Sequence, residues 1–190
     1  MRRRRRAGAT PLLSDDELVA RARTGDHTAF GLLLRRHDSA MRRLAFRLLA
    51  DATAMDDVLQ DAYLRAFRAL SGFRQGAQFG SWLYRITYNA CIDELRRARR
   101  RPLAMADTPE RATARPGPER AVTATELVRS ALAALPADQR VAVVLVDGEG
   151  FDSRSAARIL GVPVGTVASR LSRARGQLRR MMEGDADGNR

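Results

Sequence analysis

Residues 151–180 read FDSRSAARILGVPVGTVASRLSRARGQLRR, two short helical patterns on either side of a turn at Gly161-Val162-Pro163. Ala157 is small enough to let two helices approach closely, and Leu160 follows one turn later on the same face. Gly161 supplies the backbone freedom for a sharp turn. Val167 then anchors the second helix. Val167, Leu171, Ala174 and Leu178 recur at helical spacing and predict its buried stripe. Thr166, Ser169, Arg170, Arg173 and Arg175 are left on exposed faces. Short hydroxyls and long guanidinium groups on the N-terminal half of such a helix suit reading of a DNA major groove. Four packing positions and the turn agree, which separates this helix-turn-helix from a surface helix merely rich in solvated Arg.

Working outward, 190 residues suffice for one domain or two small ones. Aromatics make up only 5% of the chain, so its cores must rest on Leu, Val and Ala, which favours helices over sheets. The net charge is +12, and all 34 basic residues are Arg. The excess is concentrated in Arg2–Arg6, in Arg96, Arg97, Arg99, Arg100 and Arg101, and on the helix-turn-helix. Patches of this kind meet nucleic acid or an acidic partner. The single cysteine, Cys91, excludes an intramolecular disulfide. No apolar run reaches membrane-spanning length, and no apolar segment follows Arg2–Arg6 as it would in a signal peptide. These features predict a cytoplasmic protein without membrane insertion.

Taken in order, residues 1–13 read as a disordered basic arm. Ser14-Asp15-Asp16-Glu17 is a capping box that starts a short helix ending near Gly25. Asp26 caps a longer helix to about Ala50, with Phe30, Leu33, Leu34, Met41, Leu44, Ala45, Leu48 and Leu49 apolar. Thr53 is expected to cap the next, which turns Met55, Val58, Leu59, Ala62, Phe67 and Leu70 inward. A loop around residues 73–80 precedes a fourth helix from about Ser81 to Arg101. Residues 102–122 carry four prolines and no apolar period, and read as a flexible linker. From residue 123, Leu127, Val128, Ala131, Leu132 and Leu135 form one helical face, and Pro136 suits the first turn of the next helix. Its core VAVVLV is rich in β-branched residues, but flanking helices and the lack of a partner strand favour a buried helix. The fold class is all-α: two small helical domains, residues 14–101 and 123–182, joined by the linker. Residues 183–190 read as a disordered tail.

Three stretches then carry a resemblance: DDVLQDAYLRAFRAL from Asp56, FGSWLYRITYNACIDELRR from Phe79, and LPADQRVAVVLVDGEGFDSRSAARILGVPVGTVASRLSRAR from Leu135. In order and separation they resemble the extracytoplasmic-function (ECF) sigma factors of the bacterial sigma-70 family, and look close to the sigma-M-like subgroup. The resemblance covers roughly residues 14–182. It implies that the first unit is sigma domain 2, which binds core RNA polymerase and the −10 element, and the second is sigma domain 4, which binds the −35 element. On it, Asp56, Asp57, Gln60 and Asp61 form an acidic face for the β′ clamp of the polymerase, while the β flap is a further polymerase contact. Arg85, Asn89, Arg96, Arg97 and Arg100 would meet the −10 strand, and the loop before them would hold an unstacked base. Trp82 is expected to pack rather than to stack on a base. Thr166, Ser169, Arg170, Arg173 and Arg175 would meet the −35 duplex, although Ala168 and Ser172 stand where a basic and a larger side chain are common in the family. The resemblance also implies an anti-sigma factor as a partner.

The competing reading is a helix-turn-helix repressor or a response-regulator output protein. The acidic Asp57-Gln60-Asp61 face and the absence of a phosphoacceptor βα pattern stand against it. Cys91, His27 and His37 make no plausible triad, and no phosphate loop, dinucleotide fingerprint or metal-ligand spacing occurs. No cofactor and no catalysis of its own are expected.

Overall fold

Ser14 starts the first helix by closing a reciprocal cap: its hydroxyl accepts the Glu17 N–H while the Glu17 carboxylate accepts the Ser14 N–H at 2.7 Å. The computed structural model describes residues 13–74, 76–100 and 124–187. The predicted linker 102–122 and most of the predicted arm lie outside them. Helix α1 (Asp15–Arg23) leads to α2 (His27–Leu49), α3 (Ala52–Ala69) and α4 (Phe79–Arg100); α5 (Ala124–Ala134), α6 (Ala137–Val143), α7 (Ser153–Leu160) and α8 (Val164–Asp187) follow. Among the described residues there are only helices and the turns between them, as the aromatic-poor composition predicts.

In the first unit, Leu18, Leu33, Met41, Leu44, Leu48, Leu59 and Leu83 are essentially inaccessible. They come from all four helices and form one layered core. Asp26 caps α2 by accepting the Ala29 N–H. Two details differ from the sequence reading. Asp51, not Thr53, caps α3, because its carboxylate reaches the N–H groups of both Thr53 and Ala54. Phe67, expected inside, is 42% exposed: one face meets His27 and Phe30, at ring separations of 5.4 and 5.3 Å, and the other meets solvent.

The second unit is built on the helix-turn-helix. Gly161 has φ +67° and closes α7, with its own N–H and that of Val162 both returning to the Ala157 carbonyl. Ala156, Ile159, Val167, Leu171 and Ala174 are buried between the two helices and α6. The VAVVLV run is helical and buried, but it changes pitch. Past Val143 the chain widens into a π turn over Val144–Gly148, and the Glu149 N–H reaches back five residues to the Val144 carbonyl at 2.9 Å. Pro136 stands one residue before the first turn of α6 rather than within it. Leu127 and Val128, expected in the core, are 50% and 59% exposed. Helix α8 continues to Asp187, beyond the start of the predicted tail at 183.

The two units touch. Arg140 of α6 donates to the Leu48 carbonyl at the end of α2 (2.7 Å) and to the Ala133 and Leu135 carbonyls at the end of α5. Carbonyls left without helical partners are thereby satisfied across the junction. Tyr84 of α4 packs edge-on against Phe151, 4.8 Å between centroids.

Candidate nucleic-acid interface

Helix α4 carries its polar groups on one side because its other side supplies Leu83, Ala90 and Cys91 to the core. At 3.6 residues per turn, positions 85, 89, 96 and 100 fall within an arc of about 60°. Arg85, Asn89, Arg96 and Arg100 thus line one exposed stripe, while Arg97 lies off it and pairs with Glu94 at 3.3 Å. Arg100 folds its Nε back onto the Arg96 carbonyl at 3.3 Å.

At the N-terminal end of α4, the turn around residues 76–78 borders an open cleft of about 500 Å³. His37, Asp15, Phe79, Gly80, Ser81 and Tyr84 are among its walls. Gly80 fits closely there, since a Cβ would lie 3.1 Å from the His37 ring and would need it to shift by a few tenths of an ångström. His37 Nε2 is 2.8 Å from Asp15 Oδ2. Burial raises the Asp15 carboxyl, but hydrogen bonds from His37 and Arg36 outweigh it and hold the group below the usual carboxylate range. The hydrogen bond fixes the imidazole at the cleft wall. Trp82 is half-buried and contacts Phe73 and Phe79, with ring centroids 5.1 and 5.5 Å away, so its indole packs within the protein.

On α8, Val167 and Leu171 bury one side and leave Thr166, Ser169, Arg170 and Arg173 around the other. They are unequal. Arg170 pairs with Asp138 at 3.2 Å, and Arg175 chelates both oxygens of Asp147. The Ser169 hydroxyl donates to the Thr166 carbonyl. Arg173 is exposed and carries no ion pair among the described residues. On α3, Asp56 is held by Arg42 at 2.7 Å and Asp61 by Arg65 at 2.6 Å, whereas Asp57 and Gln60 face solvent without such partners.

The family spans coincide with these two units. Sigma-70 region 2 matches residues 33–101, and Sigma-70 region 4 matches residues 125–178. The chain is 44% identical over 170 residues to the ECF RNA polymerase sigma factor SigM of Mycobacterium tuberculosis, covering 89% of this chain and 85% of that one. The chain belongs to the ECF sigma factors. It is also 35% identical to the sigma-E factor of Escherichia coli, over 86% of this chain and 91% of the relative. Two solved structures share the fold. CnrH in complex with the cytosolic domain of CnrY has a TM-score of 0.68 at 32% identity, covering 90% of this chain and 98% of that one. Bartonella quintana RpoE in complex with the anti-sigma factor NepR has 0.69 at 28%, covering 81% and 96%.

This sigma factor therefore acts with core RNA polymerase and promoter DNA, and the polymerase performs the chemistry. The repressor alternative is not favoured. Among the described residues no helix is long and apolar enough to cross a membrane.

Some surface features escaped the sequence reading. Leu64 is 48% exposed one turn beyond Gln60, which makes the acidic patch of the sigma factor an acidic and apolar one. Its i+4 spacing from Gln60 was a usable signal. Leu127, Val128, Leu178, Met181 and Met182 line an apolar groove of about 800 Å³ between α5 and the C-terminal half of α8. The His37–Asp15 pair joins residues 22 positions apart, and no local pattern announces it.

Proposed function

We propose that residues 14–101 form the polymerase-recruiting and −10-binding half of this sigma factor, and residues 123–182 the −35-binding half. The observation that carries the reading is the α4 stripe of Arg85, Asn89, Arg96 and Arg100 running from the cleft beside residues 76–78. The guanidinium groups hold phosphates of a separated strand, the Asn amide meets a base edge, and the cleft takes one unstacked base. In the other half, Arg173 makes the main contact with the −35 duplex. Thr166, near the start of α8, binds a phosphate. Arg170 and Arg175 orient α8 through Asp138 and Asp147 before they reach DNA.

The α3 face of Asp57, Gln60 and Leu64 docks on the β′ clamp, with charge giving orientation and the leucine giving buried area. The groove between α5 and α8 receives an apolar segment of the β flap. An anti-sigma factor is a further expected partner, since such a partner is named with the RpoE neighbour. The cytoplasm, where polymerase and chromosome meet, is the expected location. The deciding experiment is run-off transcription with core polymerase on promoters selected by the reconstituted holoenzyme. Start-site-specific transcripts that require the chain are expected. Core polymerase giving the same transcripts alone would overturn the assignment.

A further inference from the structure

Most polar side chains around the cleft at the start of α4 are already committed. The Tyr84 hydroxyl donates to Glu149 at 2.9 Å, in a cluster that Arg43 and Arg47 complete. The Ser81 hydroxyl donates to the Gln78 side-chain oxygen at 3.2 Å, and the Ser14 hydroxyl to Glu17 at 2.9 Å. His37 is different, because one of its nitrogens can change what it offers near neutral pH. Its Nε2 is 2.8 Å from Asp15 Oδ2, and Arg36 holds the other oxygen of that carboxylate. An ionised carboxylate only accepts, so Nε2 carries a proton whether the ring is neutral or charged. The variable nitrogen is Nδ1. The ring edge formed by Nδ1 and Cε1 is turned toward Gly80, where a Cβ would stand 3.3 and 3.1 Å from these atoms. Glycine in the first turn of α4 leaves this edge uncovered beside the cleft that both residues line. Phe79 backs the imidazole, with ring centroids 5.5 Å apart. The charged and titratable groups around the ring and its cleft are Asp15 and Asp16 of α1, Arg36 of α2 and Tyr84 of α4. The second unit contributes the apolar Phe151.

We propose that His37 reads the base held in the cleft and makes the choice of base depend on pH: the neutral ring selects a base that presents an amine, and the protonated ring admits one that presents a carbonyl. This rests on the reading of the cleft as the seat of one unstacked −10 base. With Nε2–H given to Asp15, the neutral ring turns the Nδ1 lone pair to the cleft, where it accepts from cytosine N4 or adenine N6. The carboxylates of Asp15 and Asp16 at the same wall add acceptors and favour the same bases. Once protonated, Nδ1 becomes a donor and pairs with thymine O4 or guanine O6. Imidazoles change charge between about pH 5 and 8, a range in which cytosine and thymine themselves keep one protonation state. The Asp15 carboxylate keeps the ring in place through the change, since it accepts from Nε2 in both states.

The test uses reconstituted holoenzyme and fragments of one selected promoter whose −10 region is already unpaired, with cytosine or thymine placed at each non-template position in turn. The ratio of the two dissociation constants is measured at about pH 8 and about pH 6, at one salt concentration. Effects of pH on the rest of the complex cancel in the ratio. At one position cytosine should bind about tenfold more tightly than thymine at the higher pH, and this preference should fall at least about threefold at the lower pH. His37→Phe keeps a ring but no nitrogen, and should make the ratio independent of pH. Circular dichroism monitors folding; if His37→Phe does not fold, His37→Gln, which can still donate to Asp15 but does not titrate, carries the same expectation. Ser81→Trp fills the cleft from α4 and should abolish discrimination at that position. Discrimination that survives Ser81→Trp at every position overturns the reading of the cleft and the role of His37 with it. Discrimination that Ser81→Trp abolishes, but that is equal at both pH values or follows pH unchanged in the His37 variants, keeps the cleft reading and overturns the role of His37.

Discussion

Arg173 and Cys91 show how much a side chain's surroundings decide. Arg173 shares a helix with Arg170 and Arg175, yet those two are committed to Asp138 and Asp147 while Arg173 points to solvent. Arg173→Ala should weaken binding of holoenzyme to the −35 duplex by about 1–3 kcal/mol if the contact is to a base edge. Quantitative footprinting checks this, and a wild-type footprint would remove Arg173 from the interface. Cys91 is fully buried on α4, and burial pushes its thiol up to about 12. In the unfolded chain it titrates near about 8.5. The unfolded state therefore loses a proton that the native state keeps, and stability falls as pH rises from about 8.5 toward 12. Burial raises Tyr63 and Tyr84 too, so they act in the same direction at higher pH. Urea unfolding against pH should show this fall, with a smaller one in Cys91→Ala. At neutral pH, thiol reagents should modify Cys91 only as fast as the chain opens.

Helix α3 is amphipathic, and its outer face has two kinds of acid. Asp56 and Asp61 tie α3 to Arg42 of α2 and, through Arg65, to Asp93 of α4. Asp57 has no such duty and lies one turn from Gln60 and Asp61. Asp57→Arg should therefore leave the helical circular-dichroism signal and the thermal midpoint nearly unchanged but abolish co-purification with core polymerase. Retained co-purification would move the polymerase contact elsewhere. The stripes of α2, α3, α4 and α8 were legible because one face of each packs inward at a 3.6-residue period. Pattern alone misassigned Phe67, Leu127 and Val128, because an apolar residue at the edge of a stripe is inside or outside according to what the next helix places over it. For Phe67 the covering groups are His27 and Phe30, which leave one ring face open. For Leu127 and Val128 the neighbouring α8 turns form a groove instead of a lid.

On the proposed reading promoter binding is divided between the two units, and holding both at once multiplies their effect through effective concentration. In the free chain the Glu149 cluster and Arg140 hold the units against each other. Free sigma factor should therefore bind a promoter fragment at least about 100-fold more weakly than the holoenzyme does. Titration of one labelled fragment with each, at the same salt concentration, measures the ratio. Equal affinities would show that polymerase does not supply the spacing. The all-α class and the helix-turn-helix were legible in the sequence, because helical period, caps and turn glycines are local properties of the chain. The set Arg85, Asn89, Arg96, Arg97 and Arg100 was drawn from the family resemblance, and the packed helix sets Arg97 apart, paired with Glu94. The His37–Asp15 pair at the cleft and the burial of Glu149 by Arg43, Arg47 and Tyr84 were not legible in the sequence. Their partners lie 22 to 106 residues apart. Such contacts exist only once the helices have packed, since whether a charge is solvated or enclosed depends on which distant surfaces close around it.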